Sequence, residues 1–253
     1  MKEQMLPYYN VRLKDKIDTI VIHAGAQTEA KDLINLLEDR ELSCHYVIDR
    51  NGEVFKLVDE SNRAWHAGVG IWNGQGDINS NSIGIELCNE LFGERQYSQK
   101  QMIALKKLCI SLMKKYKIEP INVIGHSDLA PTRKIDPGTM FPWKEFAKSG
   151  IGLWYEEKKL MNVDNIDTKA LLENIGYGVE NLEATEWAFL RHYNPELYLY
   201  LGGKMGANAS SVKGLVLCDN EEFRKTLLAV SNRVDEYRKN RSNPYKIGYD
   251  FNF

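Results

Sequence analysis

Cysteine, long apolar runs and an excess of one charge are all scarce or missing in this 253-residue sequence. The four cysteines, at positions 44, 88, 109 and 218, form no Cys-x-x-Cys pair, and so few in a chain of this length do not make a disulfide framework. We therefore predict reduced thiols, most of them buried. No stretch approaches the roughly 20 apolar residues that a membrane-spanning helix needs, so the sequence predicts no transmembrane segment.

The balance of charge narrows the range of partners. Lysine and arginine total 33 and aspartate and glutamate total 35, a net charge of −2 that provides no general positive field for nucleic acid or anionic lipid. The first residues, Met1 to Pro7, lack the apolar core of a secretory signal, which favours a cytoplasmic location. With 43% apolar and 10% aromatic residues, the chain is expected to fold around a sizeable core. These features predict a globular protein that does not bind nucleic acid.

Hydrophobic periodicity over the first 155 residues alternates between the strand and helix patterns. Short β-branched runs predict strands, apolar residues at helical spacing predict helices, and Asn51-Gly52 predicts a tight hairpin turn. The predicted strands are 17–22, 45–49, 53–58, 82–87 and 121–125, the helices are 28–41 (capped by Thr28) and 98–116, and the loops are 68–81 (outside the core) and 127–142. This alternation predicts an α/β fold with a mixed central β-sheet flanked by helices.

Beyond about residue 155 the strand pattern stops and only helical spacing continues. Helices are predicted over 168–175, 183–193 and 220–238, with a loop rich in glycine and serine over 200–213. At roughly 150 residues per domain, the length also allows a second unit. We therefore expect a large domain over 1–155, a second, smaller all-helical domain over 156–240, and a loosely held tail over 241–253.

Two histidines and one aspartate follow predicted strands. His23 comes directly after the strand 17–22, His126 follows the strand 121–125, and Asp136 lies in the loop beyond it. Two imidazoles and one carboxylate suit zinc, with a fourth position left for water. Each histidine alone is equally compatible with a hydrogen-bonded structural role, so the spacing leaves both interpretations open.

A longer motif surrounds the second histidine. Residues 125–138 read GHSDLAPTRKIDPG, and three shorter blocks precede them in order: VIH at 21–23, AWHAG at 64–68 and SIGIE at 82–86. Together they resemble the signature of type 2 N-acetylmuramoyl-L-alanine amidases, the family related to peptidoglycan recognition proteins. The segments at 141–143 and 150–154, and the helices that follow, resemble the two-domain bacterial branch, whose small helical domain resembles peptidoglycan-binding modules.

The resemblance implies a bacterial zinc hydrolase with its catalytic domain over 1–155. It implies that Zn²⁺ is bound by His23, His126 and Asp136. Glu86 is then the catalytic acid, and Lys134 stabilises the oxyanion. The bond cleaved is the amide between N-acetylmuramic acid, 1,6-anhydro forms included, and L-alanine of the stem peptide. The implied partners are therefore peptidoglycan or muropeptide fragments, and the implied role is peptidoglycan turnover or recycling.

Other residues near these motifs receive lesser roles. Five are expected to line the substrate cleft: Trp65, His66, Ala67, Gly68 and Arg133. For the Trp65–His66 pair, a packing role stays open as the alternative. His45 and His192 are interpreted as structural imidazoles. Asn79 and Asn89 are expected to be solvated at the surface, and contact with carboxylates or amides of the peptide stays open as the alternative.

One position departs from the pattern of phage and animal relatives, which place a catalytic tyrosine just before the histidine of the hairpin strand. Cys44 stands there in this sequence. We therefore assign no catalytic role to Tyr46, and Glu86 carries more of the proton transfer. A nucleophilic Cys44 would need a base and a depressed pKa, so we disfavour that role beside a zinc set.

Two other functions stay open. A non-catalytic peptidoglycan-binding protein would keep the fold and lose metal ligands, whereas all the ligand positions are present here. A zinc peptidase would cut the stem peptide instead. The helical domain is expected either to hold sugar-peptide chains or to buttress the cleft by packing. The sequence does not indicate whether the main substrate is soluble muropeptide or intact wall, and it does not indicate the oligomeric state.

Overall fold

A computed structural model describes residues 1–156, 163–203 and 217–241 of the chain. The strands in these ranges are β1 (Lys2–Glu3), β2 (Tyr9–Val11), β3 (Thr19–Ala24), β4 (Tyr46–Ile48), β5 (Val54–Lys56), β6 (Asn62–Ala64), β7 (Ser82–Leu87) and β8 (Val123–Gly125). The helices are α1 (Ala30–Asp39), α2 (Gln99–Tyr116), α3 (His126–Leu129), α4 (Trp143–Ala147), α5 (Thr168–Ile175), α6 (Leu182–Tyr193), α7 (Pro195–Tyr200) and α8 (Glu221–Lys239).

Six of the strands form one mixed sheet in the order β1-β5-β4-β7-β3-β8, and β2 pairs with β6 in a separate antiparallel ribbon. In the centre of the sheet, β4, β7, β3 and β8 are parallel to one another. β5 is antiparallel to β4, and Gly52 in the turn between them has a φ of +88°, which the predicted hairpin turn requires. The predicted α/β fold with a mixed central sheet is confirmed.

The two faces of the sheet bury different helices, because side chains alternate along each strand. Ile20 and Ile22 of β3 belong to an apolar cluster that includes Leu105 and Leu112 of α2. Val21 belongs to another cluster, which contains residues of the carboxyl-terminal helices. His23 lies two positions after Val21, so it emerges on the face that these helices cover.

The helices α5 to α8 share an apolar core with the sheet. One cluster joins Val21, Ile124 and Leu129 to Trp187 and Phe223, each of them at most 1% exposed. The helices therefore cover the sheet surface instead of standing apart from it. The domain boundary at about residue 155 stays a prediction, and this shared core gives the helical part a packing role.

Asp128 joins the helical part to the start of α3. Its carboxylate is 1% exposed and accepts hydrogen bonds from the Gly125 backbone N–H at 2.7 Å, from the Tyr177 hydroxyl at 2.7 Å and from His192 Nδ1 at 2.8 Å. Two of these donors come from beyond residue 155. His192 thus has a structural contact, as expected for it, and the contact lies two residues from His126.

We expect Tyr177→Phe to lower the free energy of unfolding by about 1.5–3 kcal/mol, the usual contribution of a hydrogen bond to a charged group. The reason is that the buried Asp128 carboxylate loses a donor that water cannot replace. Urea unfolding followed by tryptophan fluorescence measures the change. Tyr200→Phe is the matched control, since that ring is 85% exposed. A loss no larger than the control's would contradict a stabilising bond to Asp128.

Several boundaries differ from the prediction for local reasons. β7 and α5 have the predicted bounds, but β3 is shifted to Thr19–Ala24. α1 begins at Ala30 with Glu29 as its N-cap, so Thr28 does not cap it. The predicted strand 121–125 is shorter because Pro120 opens a 3-10 turn over Pro120–Asn122. Helices α3, α4 and α7 have four to six residues, too few for a helical period to stand out.

The loop 68–81 is wrongly predicted to lie outside the core. Trp72 and Ile78 are 3% and 1% exposed, because the helical part packs over them. The backbone N–H of Ile71 donates to the carbonyl of Leu129, which ties the loop to α3. Most of the predicted loop 200–213, from residue 204 onward, and residues 242–253 of the predicted tail lie outside the described residues.

The structure bears on the predicted thiols and on the predicted lack of a membrane-spanning helix. Cys44, Cys88 and Cys109 are buried, Cys218 is partly exposed, and all four are free thiols, as predicted. In the described ranges, every helix is either too short or too polar to cross a bilayer.

Candidate active site

The candidate ligands meet where neighbouring strands end. β3 runs parallel to β8, with Ile22 opposite Gly125, so His23 and His126 both follow this pair of opposed residues. β7 lies on the other side of β3, and Glu86 is opposite His23. Carboxyl ends of parallel strands meet at one edge of a sheet, which is why residues far apart in sequence come together here.

Asp136 reaches the histidines from the loop after α3. The Ser127 backbone N–H donates to the Asp136 carbonyl at 2.9 Å, which fixes the loop beside α3. Gly93 and Gly138, with φ of +91° and +79°, pack directly against each other just beyond Asp136. A Cβ atom on Gly93 would lie 1.7 Å from the Pro137 carbonyl oxygen, so only glycine allows this close approach.

Three candidate ligand atoms converge near the ends of β3 and β8. His23 Nδ1 is 2.8 Å from His126 Nδ1 and 3.4 Å from Asp136 Oδ2, and His126 Nδ1 is 3.1 Å from Asp136 Oδ2. All three residues are buried. A tetrahedral ion with bonds of about 2.0–2.2 Å separates its ligands by roughly 3.3–3.6 Å, which is close to the size of this triangle.

The outer ring nitrogens support a metal site as well. His126 Nε2 lies 3.0 Å from the Ala67 carbonyl oxygen, which can only accept, so His126 carries its hydrogen on Nε2 and keeps the Nδ1 lone pair free. His23 Nε2 is likewise engaged, at 3.0 Å from His66 Nδ1. Two imidazole lone pairs and a carboxylate oxygen that face one another repel, and a cation between them would remove that repulsion. The residues present therefore fit a divalent metal ion.

The charge states suit the same chemistry. Burial, and next the neighbouring His126 ring, lower the pKa of His23 to about 4, so this imidazole is neutral near pH 7, as a metal ligand must be. Burial opposes ionisation of Asp136, but the adjacent His126 and His23 rings outweigh burial and hold its pKa well below the usual range. Asp136 is therefore a carboxylate.

Glu86 lies beside this ligand set. Its Oε1 is 3.9 Å from His23 Nδ1, and its Oε2 is buried with no hydrogen-bond partner in the described part of the chain. Burial, and next the negative charge of Asp136, raise the pKa of Glu86 to about 8, although the charge of Lys134 opposes the rise. A carboxyl group that titrates near neutrality can take up and return a proton.

Lys134 supplies positive charge near the same point. Its ammonium group is close enough to lower the pKa of both Glu86 and His23. Within residues 1–156, 163–203 and 217–241, it makes no hydrogen bond or ion pair. The ammonium group is therefore free to meet a substrate oxygen.

Comparison with known proteins decides the family. A family model described as N-acetylmuramoyl-L-alanine amidase matches residues 13–139. The chain belongs to the N-acetylmuramoyl-L-alanine amidase family. The resemblance carried by the sequence motifs is confirmed, and with it the enzyme class.

Two relatives and one solved structure show how far the similarity extends. The amidase is 33% identical over 213 residues to N-acetylmuramoyl-L-alanine amidase AmiD of Escherichia coli K12. This alignment covers 72% of this chain and 77% of AmiD. It is 40% identical over 109 residues to 1,6-anhydro-N-acetylmuramyl-L-alanine amidase AmpD of Haemophilus influenzae, covering 43% of this chain and 58% of AmpD. The structure of AmiD in complex with anhydro-N-acetylmuramic acid-L-Ala-D-γ-Glu-L-Lys superposes with a TM-score of 0.68 at 29% identity, covering 92% of this chain and 91% of that one.

The predicted cleft residues of the amidase have mixed surroundings. Trp65 Nε1 donates to Asn10 Oδ1 at 2.6 Å, so this ring lies against the amino-terminal segment. Arg133 Nη2 donates to the Ala67 carbonyl at 2.6 Å, Gly68 is exposed, and both ring nitrogens of His66 have internal partners. Roles for these five residues in substrate binding stay predictions.

Residues with lesser predicted roles are also placed. His45 is buried, with Nδ1 accepting the Gly84 backbone N–H at 3.0 Å, which is the structural role expected. Tyr46 donates its hydroxyl to Glu60. Burial raises the pKa of the Cys44 thiol well above its usual range, so this cysteine is not an activated nucleophile.

Asn79 and Asn89 are wrongly predicted to be solvated at the surface. Both are buried, and Asn79 Oδ1 accepts the backbone N–H groups of His66 at 3.1 Å and Ala67 at 2.8 Å. The amidase thus uses Asn79 to hold the loop that carries the partner of His126. Sequence reasoning also missed Asp128, although its place three residues after Gly125 matches the spacing of a helix capping box.

Proposed function

We propose that this amidase binds one zinc ion at His23, His126 and Asp136 and accepts 1,6-anhydromuropeptides as substrates. The observation that carries the proposal is the buried, unpartnered oxygen of Glu86 beside the convergent ligand set. A buried polar atom without a partner costs stability, so its retention favours a catalytic role over binding alone. Two nitrogens and one carboxylate oxygen favour zinc over magnesium or calcium, which prefer oxygen ligands.

The chain's own residues divide the work of amide hydrolysis. A zinc ion held at this site would supply Lewis acidity toward the scissile carbonyl group and the attacking water. Glu86 accepts the proton that the water loses and returns it to the L-alanine nitrogen, which leaves the lactyl carbonyl carbon as a free amine. The Lys134 ammonium faces the oxygen on which negative charge develops and stabilises that charge.

The proposed substrate class rests on the relatives. AmiD is seen in complex with anhydro-N-acetylmuramic acid carrying a tripeptide, and AmpD of Haemophilus influenzae is named for the 1,6-anhydro form. The similarity to AmiD includes the helical part, since that alignment covers 92% of this chain. A cytoplasmic location stays a prediction, which cell fractionation with an antibody would check.

Product analysis tests the proposed function. Purified protein is incubated with anhydro-N-acetylmuramoyl tripeptide in oxygen-labelled water, and the products are identified by mass. We expect free tripeptide with an unblocked L-alanine amine, and labelled oxygen in the lactyl carboxylate of the sugar. Cleavage within the stem peptide would instead support a zinc peptidase, and binding without any product would support a peptidoglycan-binding protein.

A truncation to residues 1–160 tests the role of the helical part. Removing α5 to α8 uncovers apolar surface around Val21 and Leu129, so we expect lower thermal stability and similar losses of activity on soluble muropeptide and polymeric wall. Circular dichroism melting and the two activity assays, run on one preparation, measure these effects. A much larger loss on polymeric wall from a folded truncation would instead support substrate holding by the helices.

A further inference from the structure

His66 lies beside the candidate metal site, between His23 and the buried Ser82. Its Nδ1 is 3.0 Å from His23 Nε2, and its Nε2 is 3.2 Å from the Ser82 hydroxyl oxygen. The rings of His23 and His66 meet edge to face, with centroids 5.0 Å apart. His66 therefore connects His23 to Ser82 through one ring nitrogen on each side.

The direction of hydrogen bonding follows from the far end of the chain of contacts. The Ser82 hydroxyl is 2.6 Å from the Ile78 carbonyl oxygen, and a carbonyl oxygen can only accept, so the single Ser82 hydrogen points there. Ser82 must then accept from His66, which places the His66 hydrogen on Nε2 and leaves its Nδ1 as an acceptor. His23 in turn donates from Nε2 to His66, and its Nδ1 lone pair is left facing His126 and Asp136.

The position of the His66 ring is built into the fold. The ring lies directly on β7 over Gly84, where a Cβ atom would be 2.4 Å from His66 Cγ. Asn79 Oδ1 accepts the His66 backbone N–H at 3.1 Å and so fixes the residue from the other side. Ser82, which receives the ring hydrogen, is fully buried. The ring is thus held against β7 and by its backbone, and its acceptor is buried.

His23 has a competing arrangement that would close the metal site. Its Nδ1 is 3.4 Å from the Asp136 carboxylate, an acceptor that favours a hydrogen on Nδ1. A hydrogen there would occupy the lone pair that a metal needs. The acceptor nitrogen of His66 favours the opposite tautomer, with the hydrogen on Nε2.

We propose that His66 is a positioning residue that, with Ser82, selects the metal-binding tautomer of His23. This inference rests on the proposed function, because it assigns how one proposed zinc ligand is prepared. Groups that orient ligand imidazoles are usually carbonyls or carboxylates, as the Ala67 carbonyl is for His126. Here a neutral imidazole, itself oriented by a serine, takes that place for His23.

The hydrogen positions can be observed directly. In zinc-loaded wild-type protein labelled with ¹⁵N at histidine, long-range nitrogen–proton correlation spectra distinguish the two tautomers of each ring. We expect His66 to carry its hydrogen on Nε2, and a scalar coupling across the hydrogen bond between His23 Nε2 and His66 Nδ1. A hydrogen on His66 Nδ1, or no such coupling in a well-resolved spectrum, would overturn the proposal.

Zinc affinity, measured by competition with a chromophoric chelator, tests the consequence. We expect His66→Leu to weaken zinc binding by about 10–100-fold, the usual effect of losing a group that orients a metal ligand. His66→Asn should retain most of the affinity, because its amide oxygen can accept from His23 at nearly the position of the imidazole Nδ1. Equal zinc affinity in His66→Leu and wild type would overturn the proposal, as would an equal loss in the asparagine and leucine variants.

Two further measurements separate this inference from the proposed function and from general loss of packing. Leu112→Ala removes a buried apolar side chain from the cluster that contains Ile20 and Ile22, on the other face of β3 from His23, and should leave zinc affinity unchanged. A loss there as large as in His66→Leu would indicate packing and overturn the proposal. Zinc binding and product formation by the wild type, measured in the same experiments, test the proposed function itself. If the wild type is active and His66→Leu binds zinc as tightly, only the positioning role of His66 is contradicted.

Discussion

Replacing Glu86 with glutamine is expected to lower kcat by about 100-fold or more while the metal content stays unchanged, since losing a general acid–base group usually costs this much. Glutamine keeps the shape of the side chain and cannot take up a proton. The ligand atoms of His23, His126 and Asp136 are not altered by the change. Glu86 lies in β7, held by pairing with both β3 and β4, so the substitution should not disturb the backbone.

The measurement combines steady-state kinetics on anhydro-N-acetylmuramoyl tripeptide with metal analysis of the same samples. Glu90→Gln is the matched control, because it is the same substitution four residues away. The Glu90 carboxylate pairs with Arg95 and not with the candidate ligands. We expect the control to keep wild-type kcat. A Glu86→Gln enzyme with most of its kcat intact would mean that another group moves the proton, with Lys134 next to be tested.

Removal of the metal is expected to abolish turnover, and re-addition of zinc to restore it. The reason is that Glu86 and Lys134 alone offer one proton acceptor and one positive charge, which do not activate both the water and an unreactive amide carbonyl. About one zinc per chain is expected, because the described residues contain a single cluster of at least three histidine, cysteine or acidic ligands close enough to share an ion. Magnesium should not restore activity, since it prefers an all-oxygen ligand set.

Metal analysis after dialysis against a chelator, followed by activity with and without added zinc, measures this effect. His126→Ala provides the same test within the chain, because it removes one ligand of the triangle and leaves two. We expect that variant to bind zinc weakly and to stay inactive at zinc concentrations that restore the stripped wild type. Undiminished turnover by metal-free protein would exclude the proposed mechanism.

Local patterns in the sequence are sufficient to predict those elements that show a clear apolar period or a characteristic turn dipeptide. The run Ser82–Leu87 alternates strictly enough to predict β7 to the residue, and Asn51-Gly52 predicts the hairpin because few other dipeptides adopt positive φ so readily. Where an element is too short to show a period, as α3 at His126–Leu129 is, the same approach finds only a loop. The candidate site could still be predicted there, because the continuous motif around His126 identifies the family without any assignment of secondary structure.

The contacts between distant parts of the chain could be obtained only from the tertiary structure. Periodicity records which face of an element is buried but not which partner covers it, so it could not show that α6 and α8 share a core with β3. It also missed the bond of Asp128 to Tyr177, 49 positions away, and the buried place of Asn79.

The difference between what the sequence predicts and what the tertiary structure decides is clearest at the proposed metal site. The sequence alone was enough to name the family and to predict the ligand types, because both rest on the identity and order of residues in short motifs. Which nitrogen of His23 faces the ligand set depends on hydrogen bonds that pass through His66 and Ser82 to the Ile78 carbonyl. These groups become neighbours only when the loop before β7 folds over that strand, so the tautomer is a property of the folded structure and not of any sequence motif.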